Sequence, residues 1–201
     1  TENANPFNGT IDEVRILNRS LTSAEVLADY RKAANGVMFR RVGGEGAKFL
    51  NYSVRGRANG VEGTVEFWMK PEWGFDEAVA DSNTPPVFFG LHNDTQKRYN
   101  FQYDGPARTF IFEKAVNLLS YTLSSTNQNG KFLKGQWRHF AITWDNTTGM
   151  AIYINGALDA NNSVTVNTPT FDMLFIGGLN NNFAYQCNCT ISEFRISRKA
   201  L

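Results

Sequence analysis

The side chains able to do chemistry are few in this chain, and they fall in short clusters. Glu72-Trp73-Gly74-Phe75-Asp76-Glu77, with Asp81 soon after, gathers acids around a tryptophan in a glycine-containing loop. Calcium takes clustered oxygen ligands, which makes Asp76, Glu77 and Asp81 candidate ligands at a rim; a solvated acidic loop is the plainer alternative. Asp104-Gly105 is a second place for such an ion. Trp73 and Phe75 would offer a sugar ring an apolar platform beside polar groups, or would cap one end of the fold. His92, His139, Cys187 and Cys189 show no metal-ligand spacing, so a His/Cys zinc site is not expected. The cysteines are one residue apart, and a mutual bridge would close a very small ring. Two free thiols, a local bridge and a bridge to another chain all stay open. No Gly-x-Ser-x-Gly nucleophile motif occurs.

These groups are carried by a chain of ordinary globular composition. Its 201 residues, 42% hydrophobic and 19% charged, suffice for one domain or one domain with a short appendage. Twenty basic and nineteen acidic side chains leave a net charge of +1, which gives no electrostatic ground for a nucleic acid or an anionic membrane as partner. No apolar run approaches the roughly 18 residues of a spanning helix, so membrane insertion is not expected. No signal peptide opens the chain, and an exported form would have it removed or upstream. Export is nevertheless favoured by seven Asn-x-Ser/Thr sequons, at Asn8, Asn18, Asn51, Asn93, Asn146, Asn161 and Asn188. Chance would supply about three, and these are the N-glycosylation candidates of an extracellular or cell-surface protein. Asn-rich turns of a β protein generate some sequons without any such role.

Period-two alternation dominates the middle and the end of the chain. Val65, Phe67 and Met69 alternate within 64–70, and Phe140, Ile142 and Trp144 within 138–144, with His139 on the opposite, surface-type face. Met150 to Ile154 returns from the turn 145–149, and Asn155-Gly156 is a hairpin turn because both residues tolerate positive φ. Shorter strands are expected at 87–91, 99–103, 109–113, 118–123 and 171–176. Many short strands, with sixteen phenylalanines to fill the space between sheets, predict an all-β, two-sheet antiparallel sandwich. One short helix precedes it. Thr22 and Glu25 form a capping box, Leu21 and Val26 a hydrophobic staple, Leu27 and Tyr30 extend the apolar side, and Asn35-Gly36 ends it.

Residues 7–21, FNGTIDEVRILNRSL, echo residues 187–201, CNCTISEFRISRKAL, with seven of fifteen positions identical. A period of 180 residues follows. Residues 1–33 then read as the closing strand and helix of a preceding module, or as a segment donated to another subunit, with Phe7, Ile11, Val14 and Ile16 as its assembly residues. Pairing of both strands within one domain is the alternative.

These motifs resemble the laminin-G-like jelly rolls of the concanavalin A-like lectin/glucanase superfamily. Gly63 to Pro71 is similar to an early strand of that family, Gly135 to Asp145 to its central strand, Ala151 to Gly156 to the next hairpin, and Phe175 to Gly178 to the strand after it. Cys189 to Ile196, and still better Phe7 to Ile16, match its closing strand, and Ser20 to Tyr30 its trailing helix. The resemblance implies a jelly roll spanning 34–201. It leaves function open, because the fold hosts lectins, adhesion modules, enzymes and filament parts. Glycosidases of the superfamily carry Glu-x-Asp-x-Glu, or the same with one more spacer, on one strand, with acid and nucleophile about 5–5.5 Å apart. No such stretch occurs here: Glu62 and Glu66 lack a third acid, and Glu72 and Asp76-Glu77 have the wrong spacing. The expectation is a non-enzymatic, glycosylated extracellular module for adhesion or for a repetitive array or filament. Its partners would be copies of itself or adjacent modules. The alternative is a glycan-binding lectin-like module, with calcium as its possible ion and no other cofactor.

Overall fold

Strands form where large apolar side chains recur every second residue, because only an extended chain puts them on one face. The structure, a computed structural model, describes residues 36–39, 49–73, 85–94, 97–117, 119–165, 170–179 and 186–200. Its strands are β1 (Val37–Phe39), β2 (Leu50–Ser53), β3 (Glu62–Pro71), β4 (Val87–Asp94), β5 (Lys97–Asp104), β6 (Thr109–Val116), β7 (Leu119–Ser124), β8 (Arg138–Asp145), β9 (Gly149–Ile154), β10 (Ala157–Asn162), β11 (Met173–Ile176) and β12 (Cys189–Ser197). They make two six-stranded antiparallel sheets, ordered β1-β12-β3-β8-β9-β10 and β2-β11-β4-β5-β6-β7. This is the two-sheet sandwich that the alternation predicts.

The core lies between the sheets. Val65, Phe67 and Met69 of β3 face inward, as do Phe140, Ile142 and Trp144 of β8, and all are essentially inaccessible to solvent. Phe67 sits among Phe140 at 5.7 Å, Phe89 and Phe101 at 6.2 Å, and Phe194 at 5.7 Å between ring centroids. Such pairs add about 0.5–1.5 kcal/mol each beyond simple burial. Asn155 and Gly156 adopt φ of 52° and 78° in the β9–β10 turn, as the Asn-Gly pair requires.

Three local features depart from the sequence pattern. β1 and β2 are three- and four-residue strands at sheet edges, too short for periodicity to register. The strand expected from residue 171 begins at Met173; Phe171 is instead buried against Tyr99, 4.8 Å between centroids. In β12 the register against β3 shifts between Ser192 and Arg195, at a bulge where Glu193 has φ of 50°. The bulge turns Phe194 and Ile196 toward the core.

The two long sides of the sandwich differ. Between β7 and β10, Asp159 accepts the Thr126 N–H at 2.7 Å and the Thr126 hydroxyl at 2.8 Å, and closes the seam. On the other side a groove of about 480 Å³ opens between β1 and β12 of one sheet and β2 and β11 of the other. The helix from Thr22, the segment Phe7, Ile11, Val14 and Ile16, and the division near residue 33 lie outside the described residues.

Candidate functional site

Trp73 follows the end of β3 by two residues and turns inward. It is 5% exposed, its ring lies 5.0 Å from Tyr103 and 5.5 Å from Phe132, and its indole N–H donates to the Cys187 carbonyl at 2.8 Å. A buried indole needs such an acceptor. Trp73 therefore packs into the end of the sandwich, the second of its two sequence readings. Phe75, Asp76, Glu77 and Asp81 lie outside the described residues. Asp104 accepts the Ala107 N–H at 3.1 Å within its own turn. Among the described residues, no group of three or more His, Cys, Asp or Glu could hold a metal ion.

The carbonyl under Trp73 belongs to a bridged residue. Cys187 and Cys189 form a disulfide with each other, and both are fully buried beside the core. Of the three states that the spacing leaves open, the local bridge is the one present.

An exposed aromatic surface does exist, on the outer face of the β3–β8 pair. Trp68 and His139 are direct cross-strand partners, their rings 5.3 Å apart, and Trp68 is 38% exposed. Glu66, two residues along β3, places Oε2 3.8 Å from His139 Nε2 and Oε1 3.4 Å from an Arg195 guanidinium nitrogen. Farther along the face, the Lys70 ammonium lies 5.6 Å over the Trp137 ring and 3.6 Å from Glu72. An indole flanked by carboxylate, imidazole and guanidinium joins an apolar surface to donors and acceptors, the combination that orients a polar ligand. Hydrolysis would need a second carboxylate nearby. Glu62 is four residues, about 13 Å, along the same strand, beyond the roughly 5–9.5 Å separations of working pairs, whereas Glu193 shares the Arg195 guanidinium with Glu66.

The outer face of the other sheet carries a polar cluster that the sequence does not reveal. His92 Nε2 meets Asn100 Oδ1 at 2.8 Å, and Glu113 accepts from Asn100 at 3.4 Å, Arg98 at 3.3 Å and the Ser120 hydroxyl at 2.7 Å. Burial lowers the His92 pKa; the Asn100 hydrogen bond opposes this, Arg98 adds to it and Glu113 opposes it. These groups satisfy one another. Gly90 lies among them, and a side chain there would collide with Leu179, His92 and Asn100.

Lys114 points into the core, fully buried. Its ammonium sits 5.0 Å over the Tyr99 ring and has no hydrogen-bond partner among the described residues. Burial lowers its pKa to about 8, with Asp145 opposing. The signal was the alternation itself, since Phe110, Phe112 and Lys114 share one face of β6.

The described sequons fall in two groups. Asn51, Asn93 and Asn161 are exposed. Asn146 and Asn188 are half-buried, and the Thr190 hydroxyl that completes the Asn188 sequon is 2% exposed, bonded to Glu72 at 3.4 Å. Asn8 and Asn18 lie outside the described residues.

The family model of the concanavalin A-like lectin/glucanases superfamily, in its laminin-G form, matches residues 45–201. No curated protein matches the chain in sequence. Among solved structures, the mouse laminin alpha1 chain, domains LG4-5, superposes with a TM-score of 0.57 at 12% identity, over 82% of this chain and 41% of that one. The botulinum neurotoxin serotype D binding domain gives 0.61 at 15%, over 83% and 40%. The serotype D ligand binding domain in complex with N-acetylneuraminic acid gives 0.57 at 16%, over 77% and 37%. This chain thus spans about two fifths of the length of these structures.

Proposed function

Because the chain belongs to the laminin-G-like family of the concanavalin A-like lectin/glucanase superfamily, we propose that it is a non-enzymatic extracellular module of an adhesive or structural array. The observation that carries this reading is the buried Cys187–Cys189 disulfide, since structural disulfides persist in oxidising, exported environments. Exposed sequons at Asn51, Asn93 and Asn161 support a glycosylated surface. The lack of a Glu-x-Asp-x-Glu stretch in the sequence supports the non-enzymatic reading. The echo of β12 in residues 7–16 supports assembly through that segment, with Phe7, Ile11, Val14 and Ile16 as the apolar side it presents to a neighbouring unit.

The test compares the full chain with Ile11→Asp/Ile16→Asp by light scattering and electron microscopy. Oligomers or fibres in the parent that disperse in the variant support assembly; a monodisperse monomer in both sinks it. Mass spectrometry of the protein from its native source should find glycans on Asn51, Asn93 or Asn161 and none on Asn188.

A second reading is favoured by the Trp68 surface. The indole with Glu66, His139 and Arg195 suits a glycan, and a solved structure of the same fold holds N-acetylneuraminic acid. A glycan screen with the parent and Trp68→Ala decides it: binding lost on substitution supports this face, and a flat screen with and without calcium removes the reading.

A further inference from the structure

The Trp68 face carries its charges in pairs, and the pairing bears on which saccharide it can hold. Glu66, Trp68 and Lys70 project outward from β3, because Val65, Phe67 and Met69 take the inward positions. Cross-strand register brings the rest of the face to them. Arg195 lies directly opposite Glu66 on one side, and His139 opposite Trp68 on the other. The β12 bulge sets Arg195 there, since the register against β3 resumes at that residue.

Both permanent cations of this cluster are held by carboxylates. The Arg195 guanidinium is shared between Glu66 at 3.4 Å and Glu193 at 3.8 Å, although its side chain is 50% exposed. The Lys70 ammonium lies 3.6 Å from Glu72, which also accepts from the Thr190 hydroxyl at 3.4 Å. His139 Nε2 stands 3.8 Å from Glu66 and carries charge only when protonated. Among the described residues, three carboxylates of the cluster thus meet two permanent cations, and one negative charge is in surplus. The indole beside them stays open to solvent.

Such a face discriminates by charge. A carboxylate or sulfate arriving at Trp68 has to displace Glu66 or Glu193 from Arg195, or Glu72 from Lys70. It then exchanges one exposed ion pair for another, which returns little. The displaced carboxylate also stays beside it, a like-charge contact that lowers affinity. An ammonium fares no better, since it takes a carboxylate from a cation that already holds it. Hydroxyl groups need no exchange. A carboxylate has about four lone-pair sites and a guanidinium five N–H donors, so a sugar hydroxyl bonds to either while the pairs stay intact. The apolar side of the sugar ring then covers the indole.

We infer that the Trp68 face takes an uncharged saccharide and rejects sialylated and sulfated ones, with Glu66 and Glu193 as the residues that set this preference. The inference rests on the glycan-binding reading of the same face and adds the charge of the ligand to it. Binding is then nearly independent of salt, because no ion pair forms or breaks between protein and sugar.

A glycan array offered to the full chain tests it. The probes are neutral N-acetyllactosamine, cellotetraose and mannotriose, beside sialylated and sulfated N-acetyllactosamine and a glucosamine tetramer. Neutral probes should bind, and binding should be lost in Trp68→Ala, with the acidic forms about tenfold or more weaker. Affinity for the neutral probe should change less than about twofold between dilute buffer and about 1 M salt. Glu66→Gln/Glu193→Gln keeps the shape of both side chains and removes their charge. It should narrow the gap to the sialylated probe about fivefold or more in dilute buffer. Glu193→Gln alone, at an exposed position, gives the same comparison if the double variant does not fold. Preference for the sialylated, sulfated or glucosamine probe, lost in Trp68→Ala, leaves the glycan-binding face standing and overturns the charge preference. So does a gap that the glutamine variants leave unchanged. A flat array, or binding that survives Trp68→Ala, removes the glycan-binding reading itself and this inference with it.

Discussion

Lys114 shows how a single residue can oppose the core that surrounds it. Its folded-state pKa of about 8 lies below the ordinary 10.5, so the folded protein holds this proton less tightly than the unfolded chain does. The cost is complete below pH 8 and disappears as pH rises toward 10.5. A shift of that size corresponds to about 3 kcal/mol, and the Tyr99 contact returns about 1 kcal/mol. Lys114→Met, which keeps the aliphatic volume, should therefore gain about 2 kcal/mol at pH 7. Urea unfolding of the parent should show stability rising between pH 8 and 10.5, with a flatter profile in the variant. The tryptophans separate in the same way. Trp73→Phe leaves the Cys187 carbonyl without its donor and should cost about 1–2 kcal/mol, with ligand binding unchanged. Trp68→Ala should stay within about 1 kcal/mol of the parent and change only surface recognition.

At the scale of elements, β12 is set by one extra residue. Without the bulge, period two would continue from Ile191 to residues 193 and 195, and Glu193 and Arg195 would face the core. The bulge puts Phe194 and Ile196 there, with Phe194 5.7 Å from Phe67 and 6.1 Å from Phe89. Glu193 accepts a left-handed φ of 50° to do so, at a cost of about 1 kcal/mol for a non-glycine residue. Its exposed pair with Arg195 at 3.8 Å returns little. Glu193→Gly should raise stability by about 0.5–1 kcal/mol in urea unfolding, and deletion of Glu193 should be tolerated, because Phe194 and Ile196 then follow Ile191 in unbroken alternation on the core face. The regular strands around it needed no such device. Val65 to Met69 and Phe140 to Trp144 were legible as strands because their alternation is unbroken, while β1 and β2 were not, since three or four residues at an edge are held by their neighbours.

For the whole molecule, the two sides of the sandwich predict different responses. Asp159→Ala removes the two acceptors that tie β10 to the chain after β7 and should cost about 1–3 kcal/mol, with the first loss of exchange protection along that seam. By itself the sequence determined the longer strands, the Asn-Gly hairpin, the aromatic core and the family, because each depends on the identity and spacing of near neighbours. It did not determine which way Trp73 and Trp68 face, that Cys187 and Cys189 join, or that the Lys114 ammonium is buried without a hydrogen-bond partner among the described residues. Nor did it show that, among the described residues, one side of the sandwich is tied by Asp159 and the other carries a groove. Those outcomes belong to the tertiary structure, since they turn on which strands from distant parts of the chain lie side by side and on what then stands over each residue.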